Sequence, residues 1–211
     1  MTEEEDTAVG WQAIGAALER IYGDAMPLHA GTEHPWALGG PDPLDGIDFY
    51  PRTEPVPHWH LVGYGMTELY TKQTDDPAES GWGFEFTVRV ARAPEDERPP
   101  MWAAVLLQSL GRYVFQSGNP FAAGHTMRVG QPLGGPDSTS QVHALAFTED
   151  PELGAIGTPH GRVRFLQVVG LTLDEYEAAR GGNAAEVLRA LEPRLPLYVT
   201  DIDRGSLLAA P

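Results

Sequence analysis

From Phe84 to Ala91 the chain alternates without interruption, with Phe84, Phe86, Val88 and Val90 apolar and Glu85, Thr87, Arg89 and Ala91 following them one by one. A helix would scatter these residues around its circumference, whereas a strand sends successive side chains to opposite faces and gathers the four apolar ones on one side. The run therefore predicts a strand half buried against a core, with Glu85 on the other face. His60 to Tyr70 begins as a second strand. The polar stretch Thr71 to Ser80, carrying Asp75-Asp76-Pro77, links the two as a long-looped hairpin.

Helical periodicity takes over elsewhere. Val9, Ile14, Leu18 and Ile21 recur at intervals of three to five residues and predict an amphipathic helix stopped at Gly23. Pro99-Pro100 opens a helix whose stripe of Trp102, Val105, Leu106, Leu110, Tyr113 and Val114 is wide enough to be the central buried one. Thr172-Leu173-Asp174-Glu175 has the spacing of a capping box, so a helix begins at Leu173; Gly181-Gly182-Asn183 interrupts it, and Ala184 to Leu191 resumes. Met26 to Pro57, rich in Pro and Gly, reads as irregular backbone. Gln141 to Phe147, Arg162 to Val169 and Pro196 to Ile202 read as further strands. Mixed but not strictly alternating elements point to a single α+β domain over residues 9–208, with a mixed, mostly antiparallel sheet, preceded by an acidic disordered leader at 1–8.

Composition narrows the function. Fourteen basic against thirty acidic side chains give a net charge of −16, which repels phosphate backbones and favours a cationic partner, although such a surface also serves solubility alone. Nucleic acid is not expected as a partner. No apolar run approaches the roughly 20 residues that cross a bilayer, and the first residues lack the pattern of a secretory signal, so no membrane is expected and the cytoplasm is the expected compartment. Without cysteine there is no disulfide, thiolate nucleophile or cysteine zinc site.

Among chemistry-bearing residues, His58 and His60 share one face of a strand and can supply two metal ligands, or else hydrogen-bond the backbone of the long loop. No H-E-x-x-H, nucleotide loop or G-x-S-x-G accompanies them. Glu68 and Glu85 can act as an acid and base pair, form one acidic recognition pocket, or be held by a neighbour such as Arg89 or by solvent.

Pro57-His58-Trp59-His60-Leu61-Val62-Gly63-Tyr64-Gly65-Met66-Thr67-Glu68-Leu69-Tyr70, then Ser80-Gly81-Trp82-Gly83-Phe84-Glu85-Phe86, closely resembles the Suppressor of fused domain family. Leu38-Gly39-Gly40-Pro41-Asp42-Pro43-Leu44-Asp45 is similar to that family's L-G-G-P-D-P-L-D block, and shorter matches continue through Leu110–Asn119, Thr148–Leu153, Phe165–Thr172 and Val199–Asp201. The resemblance implies a domain like the family's N-terminal lobe, a non-catalytic protein-binding module without cofactor, metal or catalytic residue. It implies that Leu38, Tyr64, Glu68 and Glu85 contribute to binding, by match to positions that serve a peptide of a zinc-finger transcription factor in animal members. The tryptophan that adjoins the leucine in those members falls at Ala37, with Trp36 displaced by one, and their aspartate is Glu68 here. The single-lobed, cysteine-free, acidic chain is similar to the bacterial branch of the family, for which the implied role is an immunity protein neutralising a polymorphic toxin, a partner of basic character. The alternative from the residues alone is a metal-dependent or carboxylate-based hydrolase using His58, His60, Glu68 and Glu85.

Overall fold

The computed structural model describes residues 8–208. All of the expected acidic leader except Ala8 lies outside the described residues. The chain forms α1 (Val9–Tyr22), β1 (Leu28–Gly31), β2 (Gly46–Arg52), β3 (His58–Tyr64), β4 (Glu79–Ala91), α2 (Met101–Ser117), β5 (Thr126–Arg128), β6 (Val142–Glu149), β7 (Ala155–Thr158), β8 (Gly161–Thr172), α3 (Leu173–Ala179) and α4 (Ala184–Leu191). The strands make one sheet in the order β1-β2-β3-β4-β8-β6-β5, with β7 also paired to β8. Every pairing is antiparallel except β4 with β8. This is the expected α+β architecture with a mixed, mostly antiparallel sheet.

The alternating strand is β4, at the sheet centre, paired with β3 through Leu61↔Val88 and with β8 through Val88↔Val168. Its apolar face packs with Leu61, Phe147 and Val168 beneath Leu107 and Val114 of α2. Burying a large apolar side chain contributes about 1.5–3 kcal/mol, so this layer anchors the fold. The opposite face is not solvated. Glu85, Thr87 and Arg89 are completely buried, because α1 covers the β2–β3 side and α3 with α4 covers the β6–β8 side. The half-buried strand expected from the sequence is thus buried on both faces. Conversely, α2 is not central: it lies on one face and leaves Met101, Val105 and Tyr113 exposed.

The segment 26–57 is not wholly irregular, since β1 and β2 lie within it. Pro51 sits beyond the end of β1, where that side of β2 has no ladder to break. Between these strands lies a 3-10 turn, Trp36–Leu38, none of whose residues is buried. At the other end of the chain, 196–202 is not a strand. Leu197 and Tyr198 have φ of 52° and 54°, in the left-handed region, and only Thr200 bridges to β4, at Val90. Their carbonyls turn to Nε2 of Gln167 instead, at 2.8 and 3.3 Å. The capping box at Thr172 is present, with Glu175 Oε2 accepting from the Thr172 N–H at 2.9 Å.

Candidate binding site

The four residues expected to bind a partner divide into one at the surface and three beneath it. Leu38, at the tip of the 3-10 turn, is 85% exposed. Tyr64 is buried, stacked on Trp11 with ring centroids 4.2 Å apart, and donates its hydroxyl to Asp48 at 2.7 Å. Burial and the Asp48 carboxylate push that phenol far above its ordinary range.

Glu85 reaches from β4 under the segment that follows β3. Its Oε1 accepts from the N–H groups of Gly65 and Thr67 at 3.0 and 2.9 Å and from the Thr67 hydroxyl at 2.6 Å, and Oε2 accepts from Met66 N–H at 3.2 Å. Burial pushes its carboxyl up to about 7, opposed by these donors. It is therefore neither paired with Arg89 nor solvent facing. Glu68 fastens the next stretch: Oε1 accepts from Gln73 and Thr74 N–H at 2.6 Å each, while Oε2 accepts from Gly81 N–H at 3.1 Å and faces Lys72 at 2.9 Å. Partial burial alone would raise Glu68, but the Thr74 N–H, Lys72 and the other donors prevail and hold it down to about 2. Two carboxylates thus nail the 65–74 loop onto β4.

Glycine permits that attachment. Gly65 has a φ of 135°, and a Cβ there would meet the Pro43 carbonyl at 2.3 Å; Gly81, at φ 53° in the irregular start of β4, would press on Met66 O at 2.8 Å. The first turn of α1 closes on the same loop, where Gly10 N–H donates to Leu69 O at 2.9 Å. From the other side α2 grips the 32–45 segment. Gln108 exchanges hydrogen bonds with both backbone groups of Leu44, at 2.9 and 3.0 Å, and Arg112 pairs with Asp42.

Between these two fastened segments lies a cleft of about 450 Å³. Its walls include Trp36, Trp82, Phe115, Met66 and Tyr70, and Asp45 also lines it. Phe115 of α2 bridges the tryptophans, with centroids 5.3 Å from Trp36 and 5.7 Å from Trp82. Glu68 lines the cleft as well, with both oxygens already engaged; Leu38 does not line it but directly follows the lining residues Trp36 and Ala37 in the same turn, at its rim. Tyr70 is half exposed beside them. Sequence reasoning missed Asp45, Trp82 and Phe115 as a group. Asp45 was visible within the L-G-G-P-D-P-L-D block, but nothing distinguishes it there from Asp42.

His58 and His60 lie elsewhere, on the covered face of β3. His58 Nδ1 donates to Val56 O at 2.7 Å, a bond to the backbone of the preceding loop. His60 Nδ1 accepts from the Tyr22 hydroxyl at 2.5 Å, and its Nε2 lies 3.2 Å from Asp150, out of line for a hydrogen bond. Burial and the Arg89 charge push His60 down to about 4, so it is neutral. Asp150 is the hub of this region: it takes both guanidinium arms of Arg89, at 2.6 and 3.1 Å, and the Thr87 hydroxyl at 2.9 Å. Burial would raise its carboxyl, but the Arg89 guanidinium outweighs that and holds it far below the carboxylate range. Among the described residues no group of three His, Asp or Glu is placed to hold a metal ion, and no helix is long and apolar enough to cross a membrane.

The family model for Suppressor of fused protein (SUFU) matches residues 40–205. The human and mouse Suppressor of fused homologs are each 36% identical over 94% of this chain, which spans 44% of their length. A chain of a Sufu–Fu complex superposes with a TM-score of 0.88 at 34% identity, covering 95% of this chain and 92% of that one. Drosophila Suppressor of Fused gives a TM-score of 0.88 at 33% identity, over 98% of this chain and 53% of that one. A SUFU homolog from Neisseria gonorrhoeae shares the fold, with a TM-score of 0.64 at 15% identity over 96% of this chain and 98% of that one. By sequence and by fold, then, the chain belongs to the Suppressor of fused protein family.

Proposed function

We propose that this chain is a non-catalytic protein-binding module that docks a partner across the cleft between the 32–45 and 65–74 segments. The observation that carries this reading is the pairing of an exposed apolar rim, Leu38, Trp36 and Tyr70, with a floor held rigid by Glu68 and Glu85. Exposed anchors on preorganised backbone are what a binding surface needs, because little ordering entropy remains to oppose association. A relative captured in a Sufu–Fu complex supports the same class of function.

In this reading the four residues implied by the family resemblance share the work. Leu38 touches the partner; Tyr64, Glu68 and Glu85 hold the backbone that shapes the cleft. Both glutamates are engaged by donors of the fold and both histidines are fully buried, away from the cleft, which supports binding over hydrolysis. The net charge of −16 favours a partner of basic character, and a toxin domain that attacks nucleic acid has that character, so the specific role proposed is neutralisation of such a toxin in the cytoplasm.

The test is capture of partners by the tagged protein at low salt, alongside Leu38→Asp, with salt elution and identification by mass spectrometry. A basic protein held by the wild type and released by Leu38→Asp is expected. A partner retained equally by both would refute the site, and a neighbouring gene encoding no toxin would refute the immunity role.

A further inference from the structure

Two carboxylates of the cleft, Glu68 and Asp45, differ in one respect. Glu68 is engaged at both oxygens. Asp45 uses its backbone, donating to Tyr64 O at 2.7 Å and accepting from Thr32 N–H at 3.0 Å, but its carboxylate has no hydrogen bond or ion pair with any described residue. It is half buried among aromatic walls, and that burial pushes its carboxyl up. Its charge in turn helps lift the Tyr70 phenol, which places the two groups near each other. A carboxylate partly removed from water without a partner is unfavourable, and a cation arriving from outside would relieve that cost.

The walls suit the same visitor. Trp36, Trp82 and Phe115 present ring faces and edges around the cavity, and indole faces attract guanidinium and ammonium groups more strongly than other rings do. An aromatic enclosure with one unsatisfied anion selects a positive charge carried on an apolar stem, which describes arginine and lysine. The overall negative field draws such a group in from a distance.

We propose that the cleft receives one basic side chain of the partner protein, with Asp45 as its counter-ion and Trp36, Trp82 and Phe115 as its enclosure. This rests on the docking function above and specifies its chemistry. Asp45 and the aromatic cage supply the selection, while Leu38 supplies apolar contact on the rim.

Two neutral-capped probes of nearly equal shape test it: acetyl-arginine amide and acetyl-citrulline amide, which lacks the charge. Each is titrated into the isotopically labelled full chain, following the amide signals of Met66 to Tyr70 and the indole signals of Trp36 and Trp82. Saturable shifts with the arginine probe are expected, with the citrulline probe and the Asp45→Asn variant each weaker by about tenfold, as for loss of one charge-assisted contact. Asp45→Ala, which removes the same charge, should behave as Asp45→Asn does, and unchanged signals away from the cleft verify that both variants fold. Equal shifts from both probes, wild-type affinity in both variants, or no saturable shift up to about 100 mM probe would overturn the assignment. The docking function fails separately: it falls if Leu38→Asp keeps the partner, whereas a partner lost by Leu38→Asp but held at full affinity by Asp45→Asn overturns only the cation receptor.

Discussion

Replacing Glu85 by alanine should loosen the whole cleft, and the size of the effect follows from what the carboxylate holds. Three backbone N–H groups and one hydroxyl lose their acceptor, and of the residues involved Met66 and Thr67 are buried while Gly65 is partly so. The Thr67 hydroxyl can rotate and Gly65 can meet water, which leaves two buried N–H groups unsatisfied. Each costs about 1–3 kcal/mol, so the expected destabilisation is about 4 kcal/mol. For a chain of this size, with about 2–4 °C per kcal/mol, Tm should fall by roughly 12 °C. Thermal and urea unfolding followed by circular dichroism give the global value, and hydrogen exchange at Met66 and Thr67 gives the local one. A change under about 1 kcal/mol, with exchange at those two amides as slow as in the wild type, would refute the claim that Glu85 secures the loop.

Other substitutions separate structure from binding. Leu38→Asp, at an exposed tip, should change stability by no more than about 0.5 kcal/mol while removing partner capture; an unfolding shift well beyond that would mean the tip is structural. Glu68 is held down to about 2 in the folded chain against an ordinary value of 4.5, so its contribution is complete above about pH 4.5 and disappears as pH falls toward 2. Glu68→Gln should accordingly flatten the acid limb of the stability curve across that window, and an unaltered limb would contradict the assignment. Arg89→Met leaves Asp150 buried without its guanidinium, an expected loss of about 3–5 kcal/mol by urea unfolding, much of it recovered in the double variant with Asp150→Asn; two simply additive losses would argue against the coupling.

The strands and helices with an unbroken period were legible in the sequence, and the elements it concealed share a cause. The alternation of β4 fixed its apolar face, but the burial of Glu85, Thr87 and Arg89 depends on acceptors and covers supplied by segments far along the chain, Asp150 above all. Polar residues on a covered face look like polar residues on a wet one until their partners are known. The strands β1 and β2 were hidden by Pro and Gly, whose turn signal outweighs a short pairing whose outer edge Pro51 does not disturb. Residues 196–202 carried strand composition, yet the carbonyls of Leu197 and Tyr198 are drawn to Gln167, 30 and 31 positions away in sequence. In the candidate site, motif matching located the loop and its two glutamates. It could not show that Asp42 is paired with Arg112 whereas Asp45 is left open, because that difference is made by α2 docking against the turn.

A site-specific photocrosslink addresses the central claim most directly. A photoreactive residue replaces Leu38 on the cleft rim in one version of the protein and exposed Asp24, beyond the end of α1, in another, each irradiated with the partner captured at low salt. Binding across the cleft is expected to give a partner adduct from position 38 and none from position 24, with the adduct from 38 suppressed by Trp82→Ala. An adduct from position 24 alone, or equal adducts from both positions, would contradict it.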